Sequence, residues 1–245
     1  MSKNVVIVGG HGKVALRLAH LLKSTAKVTS IIRTEEHAAD IKAALANPLV
    51  ISLEDDPTEA FTSAFEGADV VVFSAGSGGK GGPERIRAVD YLGALKVFDA
   101  IEAVKSVSKP RLLMVSAVDV RDLAKIPEHY NEADIALSRQ FYETIGASYF
   151  AAKYNADKNL VERTAFPWTI IRPSLYNDSP GVGKAAIGKM HITESISRDD
   201  VAKTLALLLD RPDAVGLALD VVGGDTPIEE VLDTAIRSRV TAWIG

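Results

Sequence analysis

Near the start of the chain, Gly9-Gly10-His11-Gly12 has the residue types and spacing to hold a phosphate. It follows the apolar run Val5-Val6-Ile7-Val8. It precedes a segment in which Val14, Leu16, Leu18, Ala19, Leu21 and Leu22 recur as on an amphipathic helix. The spacing Gly9-x-x-Gly12-x-x-Ala15 puts a residue without a side chain at the tight turn and another where backbone must approach a pyrophosphate. Ala15 is the small residue where helix meets strand. The phosphates would rest on the free N–H groups of the helix N-terminus, whose partial positive charge favours an anion. A glycine turn alone is also an ordinary strand-to-helix connection. Its place at the head of a strand–helix–strand unit directs the reading to a nucleotide cofactor, with Gly9, His11, Gly12, Lys13 and Val14 as candidate contacts. His11 either touches phosphate or is a plain turn residue.

The second strand of such a unit ends beside the adenosine ribose, where an acid selects NAD and a basic residue tolerates the 2′-phosphate of NADP. Here it closes as Ile31-Ile32-Arg33-Thr34. Arg33 stands in the acid's place and Lys13 is read as a second cation nearby, so NADP is expected. The other reading has Arg33 solvated and Glu35 or Glu36 holding the ribose. Glu54-Asp55-Asp56 ends the third apolar run, and at most one of these acids, taken as Glu54, serves the adenosine.

The elements that must position this loop are legible as short β-branched runs: residues 5–8, 28–32, 50–53, 70–73, 112–115 and 169–171. Helical periodicity fills the intervals, as over residues 15–22, 86–104 and 141–161. Such alternation predicts an α/β fold, a doubly wound, mostly parallel sheet of Rossmann type with helices on both faces. One domain over residues 1–245 is expected, with 174–245 contributing a small C-terminal lobe on the substrate side. Two glycine-rich stretches, 76–83 and 177–192, read as irregular and mobile. In the first, Lys80 is followed by Gly81 where a phosphate-loop NTPase needs Ser or Thr, which excludes that class. Ser197 with Asp200 reads as a capping box for a helix carrying Val201, Leu205 and Leu208.

Composition narrows the partners. Twenty-eight basic against thirty-two acidic residues give a net charge of −4, with no basic tract to suggest nucleic acid or a membrane surface. A small-molecule ligand is expected. The chain has no cysteine, which excludes disulfides and thiolate chemistry. His11, His20, His37, His129 and His191 show no metal-ligand spacing, so no metal is expected. No signal or membrane segment is visible, and the cytoplasm is the default compartment.

Together with Gly-Ala-Asp-Val-Val-Val-Phe-Ser-Ala-Gly at 67–76, Val-Asp-Tyr-Leu-Gly-Ala at 89–94, Tyr-Phe-Ala-Ala-Lys at 149–153, Thr-Ile-Ile-Arg-Pro at 169–173 and Ile-Ser-Arg-Asp-Asp-Val-Ala at 196–202, the glycine loop resembles the short-chain dehydrogenase/reductase superfamily. The likeness is to its atypical, NmrA-like NAD(P)-binding branch. The resemblance implies that Ser74, Ala75 and Gly76 lie near the cofactor and that the turn at Arg172-Pro173 opens the substrate region. It also implies a Tyr-x-x-x-Lys pair in which Tyr passes a proton to the substrate oxygen while Lys lowers the Tyr pKa and holds the ribose. Two pairs fit, Tyr149/Lys153 and Tyr154/Lys158. On a helical wheel Tyr142, Ile145, Ala152, Ala156 and Leu160 fall within about 60° of Tyr149, whereas Tyr154 lies about 140° away. Tyr149/Lys153 is therefore assigned to the sheet side and the second pair to solvent. The third catalytic group of the superfamily, a Ser or Thr, aligns two residues beyond Ser116, where this chain has Val118. Ser116 either substitutes or satisfies a backbone group at the strand end. The resemblance implies an oxidoreductase acting on a small carbonyl or hydroxyl compound, or else a regulator that binds NADP(H) without turnover. A nucleotide-sugar epimerase would need a larger C-terminal domain than the roughly seventy residues after Pro173 provide.

Overall fold

A computed structural model describes residues 2–78 and 81–245; Lys80 and Gly79 lie outside them. The strands are β1 (Lys3–Val8), β2 (Ala26–Ile32), β3 (Asn47–Val50), β4 (Val70–Phe73), β5 (Arg111–Val115), β6 (Trp168–Pro173), β7 (Tyr176–Asn177), β8 (Lys184–Gly188), β9 (Ile196–Ser197) and β10 (Ala218–Pro227). The main sheet runs β3-β2-β1-β4-β5-β6-β10-β8. Its pairings are parallel except for β8, which is antiparallel to β10 at the edge. The chain reverses direction of travel across the sheet between β1 and β4, and such a switch leaves a crevice beyond the strand ends.

The helices are α1 (Lys13–Leu22), α2 (Ala38–Ala43), α3 (Thr58–Phe65), α4 (Gly82–Ile86), α5 (Gly93–Ala103), α6 (Glu132–Phe141), α7 (Ala147–Val161), α8 (Arg198–Leu208) and α9 (Ile228–Arg237). Strand side chains alternate between the two helical layers. Val5 and Ile7 join a core with Leu18 of α1, Leu205 of α8 and Leu232 of α9. Val6 and Val8 join another with Phe61 of α3, Phe98 of α5 and Leu160 of α7. Both faces of the sheet are thus covered, as the unbroken apolar strands require. Ser197 caps α8, its hydroxyl accepting from the Asp200 N–H at 3.0 Å.

Three local expectations change. The third strand occupies 47–50 rather than 50–53, because Asp55 and Asp56 turn back onto Ser52 with contacts of 2.7 Å and cut the strand short. The helix expected over 141–161 is interrupted: α6 ends at Phe141, a wide turn spans Tyr142–Gly146, and α7 restarts beyond Gly146, whose φ is +104°. Only glycine adopts that backbone readily. Beyond the break, Ala152, Ala156 and Leu160 keep the buried stripe, while Ile145 is left 40% exposed. Finally, residues after 174 do more than trail the sheet. β10 and β8 extend it, and α8 and α9 complete the layer of α1.

A third, smaller core gathers the exits of β5, β10 and the start of α7: Val118, Val120, Phe141, Phe150, Ile192 and Val222, edged by Tyr130, Tyr142, Tyr149 and Tyr154. The buried Arg172 at the end of β6 ties this region together. Its guanidinium donates to Ala117 O at 3.2 Å, Val120 O at 2.7 Å and Ala242 O at 2.9 Å, and Nε stands 3.4 Å from Asp220 Oδ1. No helix among the described residues is long and apolar enough to cross a membrane. Replacing Arg172 with Met strands a buried carboxylate and three carbonyls, so urea denaturation should show a loss of about 3–5 kcal/mol. Adding Asp220→Asn should restore part of it. A loss below about 1 kcal/mol, the scale of an exposed pair, would show that Arg172 is no anchor.

Candidate active site

The glycine turn packs as closely as its composition allows. A Cβ on Gly9, whose φ is +81°, would sit 2.6 Å from the Ala75 backbone, and one on Gly10 would sit 2.5 Å from Ser30 Cβ. Gly10 N–H donates to Ile31 O at 2.8 Å and Ser74 N–H to Val8 O at 3.0 Å, so the ends of β1, β2 and β4 meet at one place. Gly12 begins α1 without a side-chain cap, which leaves the first N–H groups of the helix to a ligand.

Against this turn lies a cleft of about 320 Å³ lined by Gly9, His11, Gly12, Arg33, Glu54, Ser74, Ala75 and Gly76. Ser77 Oγ, buried in its wall, has no hydrogen-bond partner. A glycine cradle, an uncapped helix and an orphaned hydroxyl fit a dinucleotide. At the adenosine end Glu54 sits between two arginines, 3.5 Å from Arg33 Nη1 and 3.4 Å from Arg85 Nε. Arg85, from α4, carried no signal in the sequence; the cation expected there, Lys13, turns the other way and bonds Asp178 at 2.8 Å. Val14 is a core residue whose backbone alone belongs to the turn. His11 lies on the cleft, stacked on His37 at 3.7 Å and 2.7 Å from Asp40 Oδ2.

Behind the cleft wall stands Asp90, in the wide turn between α4 and α5. Its carboxylate accepts from the Ser77 N–H at 2.9 Å and pairs with Lys153 Nζ at 3.1 Å. Both are almost wholly buried. Burial alone would depress the Lys153 pKa, but the nearby Asp90, Tyr149 and Asp157 outweigh it and raise it, so the ammonium is fixed. Its nitrogen lies 5.9 Å from the centre of the Tyr149 ring, one helical turn back. The Tyr149 pKa is raised by burial and by Asp90 and Asp157, against the pull of Lys153. Lys153 acts in the expected direction, but burial, helped by the two carboxylates, outweighs it, and Tyr149 keeps its proton.

One turn beyond Lys153, the buried Asp157 accepts from Ser116 Oγ at 2.7 Å. Burial lifts its pKa from 3.8 to about 6, opposed by Arg172, Ser116 and Lys153. Ser116 is thus buried and engaged by a side chain. Val118, at the position of the superfamily's hydroxyl, is buried in the third core. Pro173 ends β6 with its carbonyl accepting from Val118 N–H at 3.0 Å, bracing the wall without lining the cleft. Tyr154 is half-buried rather than solvent-facing, because its ring stacks on Trp243 at 5.8 Å; Lys158 is exposed. Asp90 and Asp157 escaped the sequence reading. Each does carry a signal, an acid among the buried, mostly apolar residues of its helical segment.

The comparisons agree with this geometry. A family model described as NAD(P)H-binding matches residues 9–212. A UPF0659 protein of Schizosaccharomyces pombe is 40% identical over 232 residues, covering 93% of this chain and 92% of the relative. A Bacillus subtilis protein named as an uncharacterized sugar epimerase is 35% identical over 230 residues, with 93% and 98% covered. A solved Bacillus halodurans structure, assigned by name to the NAD-dependent epimerase/dehydratases, matches with a TM-score of 0.78 and 31% identity over 95% of this chain and 100% of that one.

The Asp157 environment has a measurable consequence. With its folded pKa above the unfolded value, the stability it contributes is intact below pH 4 and is lost as pH rises through about 6, on the order of 3 kcal/mol in all. Asp157→Asn removes that loss and keeps an acceptor for Ser116. The variant's melting temperature should gain on that of the wild type between pH 4 and pH 7; a pH-independent difference would refute the assignment.

Proposed function

This chain belongs to the NAD(P)H-binding family, and on that footing we propose that it is an NADP(H)-dependent reductase of a small carbonyl compound. The observation that carries the reading is the buried Lys153–Asp90 pair at 3.1 Å one turn from Tyr149, which sets a protonated phenol beside a fixed cation. A dinucleotide whose diphosphate is held by the glycine turn and the N-terminus of α1 would supply the hydride. Tyr149 then delivers its proton to the carbonyl oxygen as negative charge develops there, and Lys153 stabilises the tyrosinate left behind. Asp90 holds Lys153 in place and joins it to the cleft wall through the Ser77 N–H. The choice of NADP rests on Arg33 and Arg85 flanking the adenosine end, where two guanidiniums suit a 2′-phosphate dianion.

One observation favours a second reading, an NADP(H)-sensing regulator without turnover: Val118 supplies no hydroxyl, and Ser116 is engaged by Asp157. A single experiment separates the two. NADPH oxidation is followed with a panel of aldehydes, ketones and quinones, beside Tyr149→Phe. The reductase reading expects turnover that falls about 10²–10⁴-fold in the variant while NADPH affinity holds. Tight NADPH binding with no oxidation by any compound would leave the regulator. Turnover undiminished in Tyr149→Phe would remove that residue as proton donor.

Cofactor choice is tested apart from turnover. Arg33→Asp should shift the ratio of NADPH to NADH affinity toward NADH by about tenfold or more, measured by calorimetry. An unchanged ratio would mean that Arg33 does not read the 2′-phosphate.

A further inference from the structure

The segment after β6 carries a second concentration of charge that the reductase reading does not use. Asp178 accepts from Lys13 Nζ at 2.8 Å, stands 2.9 Å from Arg198 Nη1 and 3.6 Å from Arg17 Nη2. Arg17 Nε also donates to Asp199 Oδ1 at 2.5 Å. Three cations therefore face two carboxylates, and the cluster keeps a surplus of positive charge. Lys13 opens α1, so the cluster borders the turn whose free N–H groups await a diphosphate.

The backbone of this segment is fastened at both ends. Gly181 N–H donates to Asp199 at 3.0 Å, and Val182 and Gly183 N–H donate to Asp200 at 3.1 and 2.7 Å, with Asp200 buried under the Ser197 cap. That end is held by backbone. Toward β6 the backbone is fastened as well, Tyr176 and Asn177 of β7 pairing with Ile196 and Ser197 of β9 and Leu175 O accepting from Ile196 N–H at 2.9 Å. Asp178, at the near end of the turn that follows, is held by ion pairs, with Asp178 and Lys13 49% and 64% exposed, and exposed ion pairs exchange partners at little cost. Leu175, Tyr176 and Val182 lie 48%, 38% and 72% exposed along the same stretch, an apolar edge uncovered in this arrangement. Arg198 reaches from the cluster to within 4.9 Å of the Tyr176 ring.

We propose that Lys13, Arg17 and Arg198 form an anion-exchange site: Asp178 fills it in the free protein, and a phosphoryl or carboxylate group of a bound ligand takes its place and frees residues 178–180. The charge balance demands the exchange. A diphosphate at the α1 N-terminus adds two negative charges beside Asp178 and Asp199, four against three, and Asp178 is the one carboxylate of the set on the releasable turn. The proposal needs ligand binding and no turnover, so it stands or falls separately from the reductase reading.

The test uses Asp178→Asn, an exposed and nearly isosteric change, with NADPH, NADH and inorganic phosphate as probes at one fixed ionic strength. The diphosphate as the incoming group predicts that the variant binds NADPH and NADH about fivefold more tightly, both alike. Arg198→Met should shift both the opposite way. Hydrogen exchange at residues 178 and 179 should quicken when wild type binds NADPH and should already be quick in free Asp178→Asn. If the variant leaves both cofactors unchanged but binds inorganic phosphate more tightly when loaded with NADPH, the same site serves a substrate anion. Three results overturn the proposal: cofactor and phosphate affinities all unmoved in Asp178→Asn, both variants shifting affinity in one direction, or exchange at residues 178 and 179 slowing when NADPH binds.

Discussion

Everything on the ligand side of this molecule depends on how closely the exit of β1 passes its neighbours. No β-carbon fits at Gly9 or Gly10, because Ala75 on one side and Ser30 on the other already occupy the space. The contact converts three parallel strands into a single rim. Once β2 and β4 end at the same level as β1, Arg33 at one end and Ser74 to Ser77 at the other face a common cleft, and α1 begins with its first N–H groups turned into it. The sheet behind supplies rigidity by being apolar on both faces, but its shape at the rim is set by two missing side chains.

Behind the rim the controlling quantity is charge in a place with little water. Asp90, Asp157 and Asp220 share a buried region with Lys153 and Arg172, three acids to two bases. Such an imbalance holds only if the carboxyls bind protons more readily than usual, as burial makes Asp157 and Asp220 do, or are bound by many donors. The same imbalance bears on Tyr149. Lys153 favours the tyrosinate, but burial outweighs it, with Asp90 and Asp157 adding to the effect, so the phenol stays protonated.

The glycine turn, the six apolar runs and the Ser197 cap were legible in sequence because each is a local pattern whose meaning survives folding. What escaped depends on contacts between distant segments. Nothing near Arg85 says that it will meet Glu54, which lies across the sheet edge, and Lys13 was assigned to the wrong neighbour because sequence shows that it belongs to the turn but not which way it leans. The stripe drawn from Tyr142 to Leu160 assumed one continuous helix, and Gly146 breaks it, although the half beyond the break was read correctly. β8 and β10 went unnoticed since Gly183, Gly188, Gly223 and Gly224 look like loop punctuation until β10 is seen beside β6. Asp90 and Asp157 were overlooked for a plainer reason: an acid among buried, mostly apolar helical residues is a mismatch, and a mismatch on a face that must be buried is itself a pointer to chemistry.

The last residues of the chain are built like masonry. Ala242 N–H donates to Ala218 O at 2.7 Å and its carbonyl receives Arg172 at 2.9 Å. Trp243 lies on Tyr154, Lys125 reaches Ile244 O at 3.2 Å, and Asp122 N–H donates to Gly245 O at 3.2 Å. This stretch is where an investigator would by habit attach an affinity handle or a reporter. In this molecule such an attachment bears on the loop after β5 and, through Arg172, on the ground beneath Asp157, so a purification tag there becomes an unintended participant in every assay of the site.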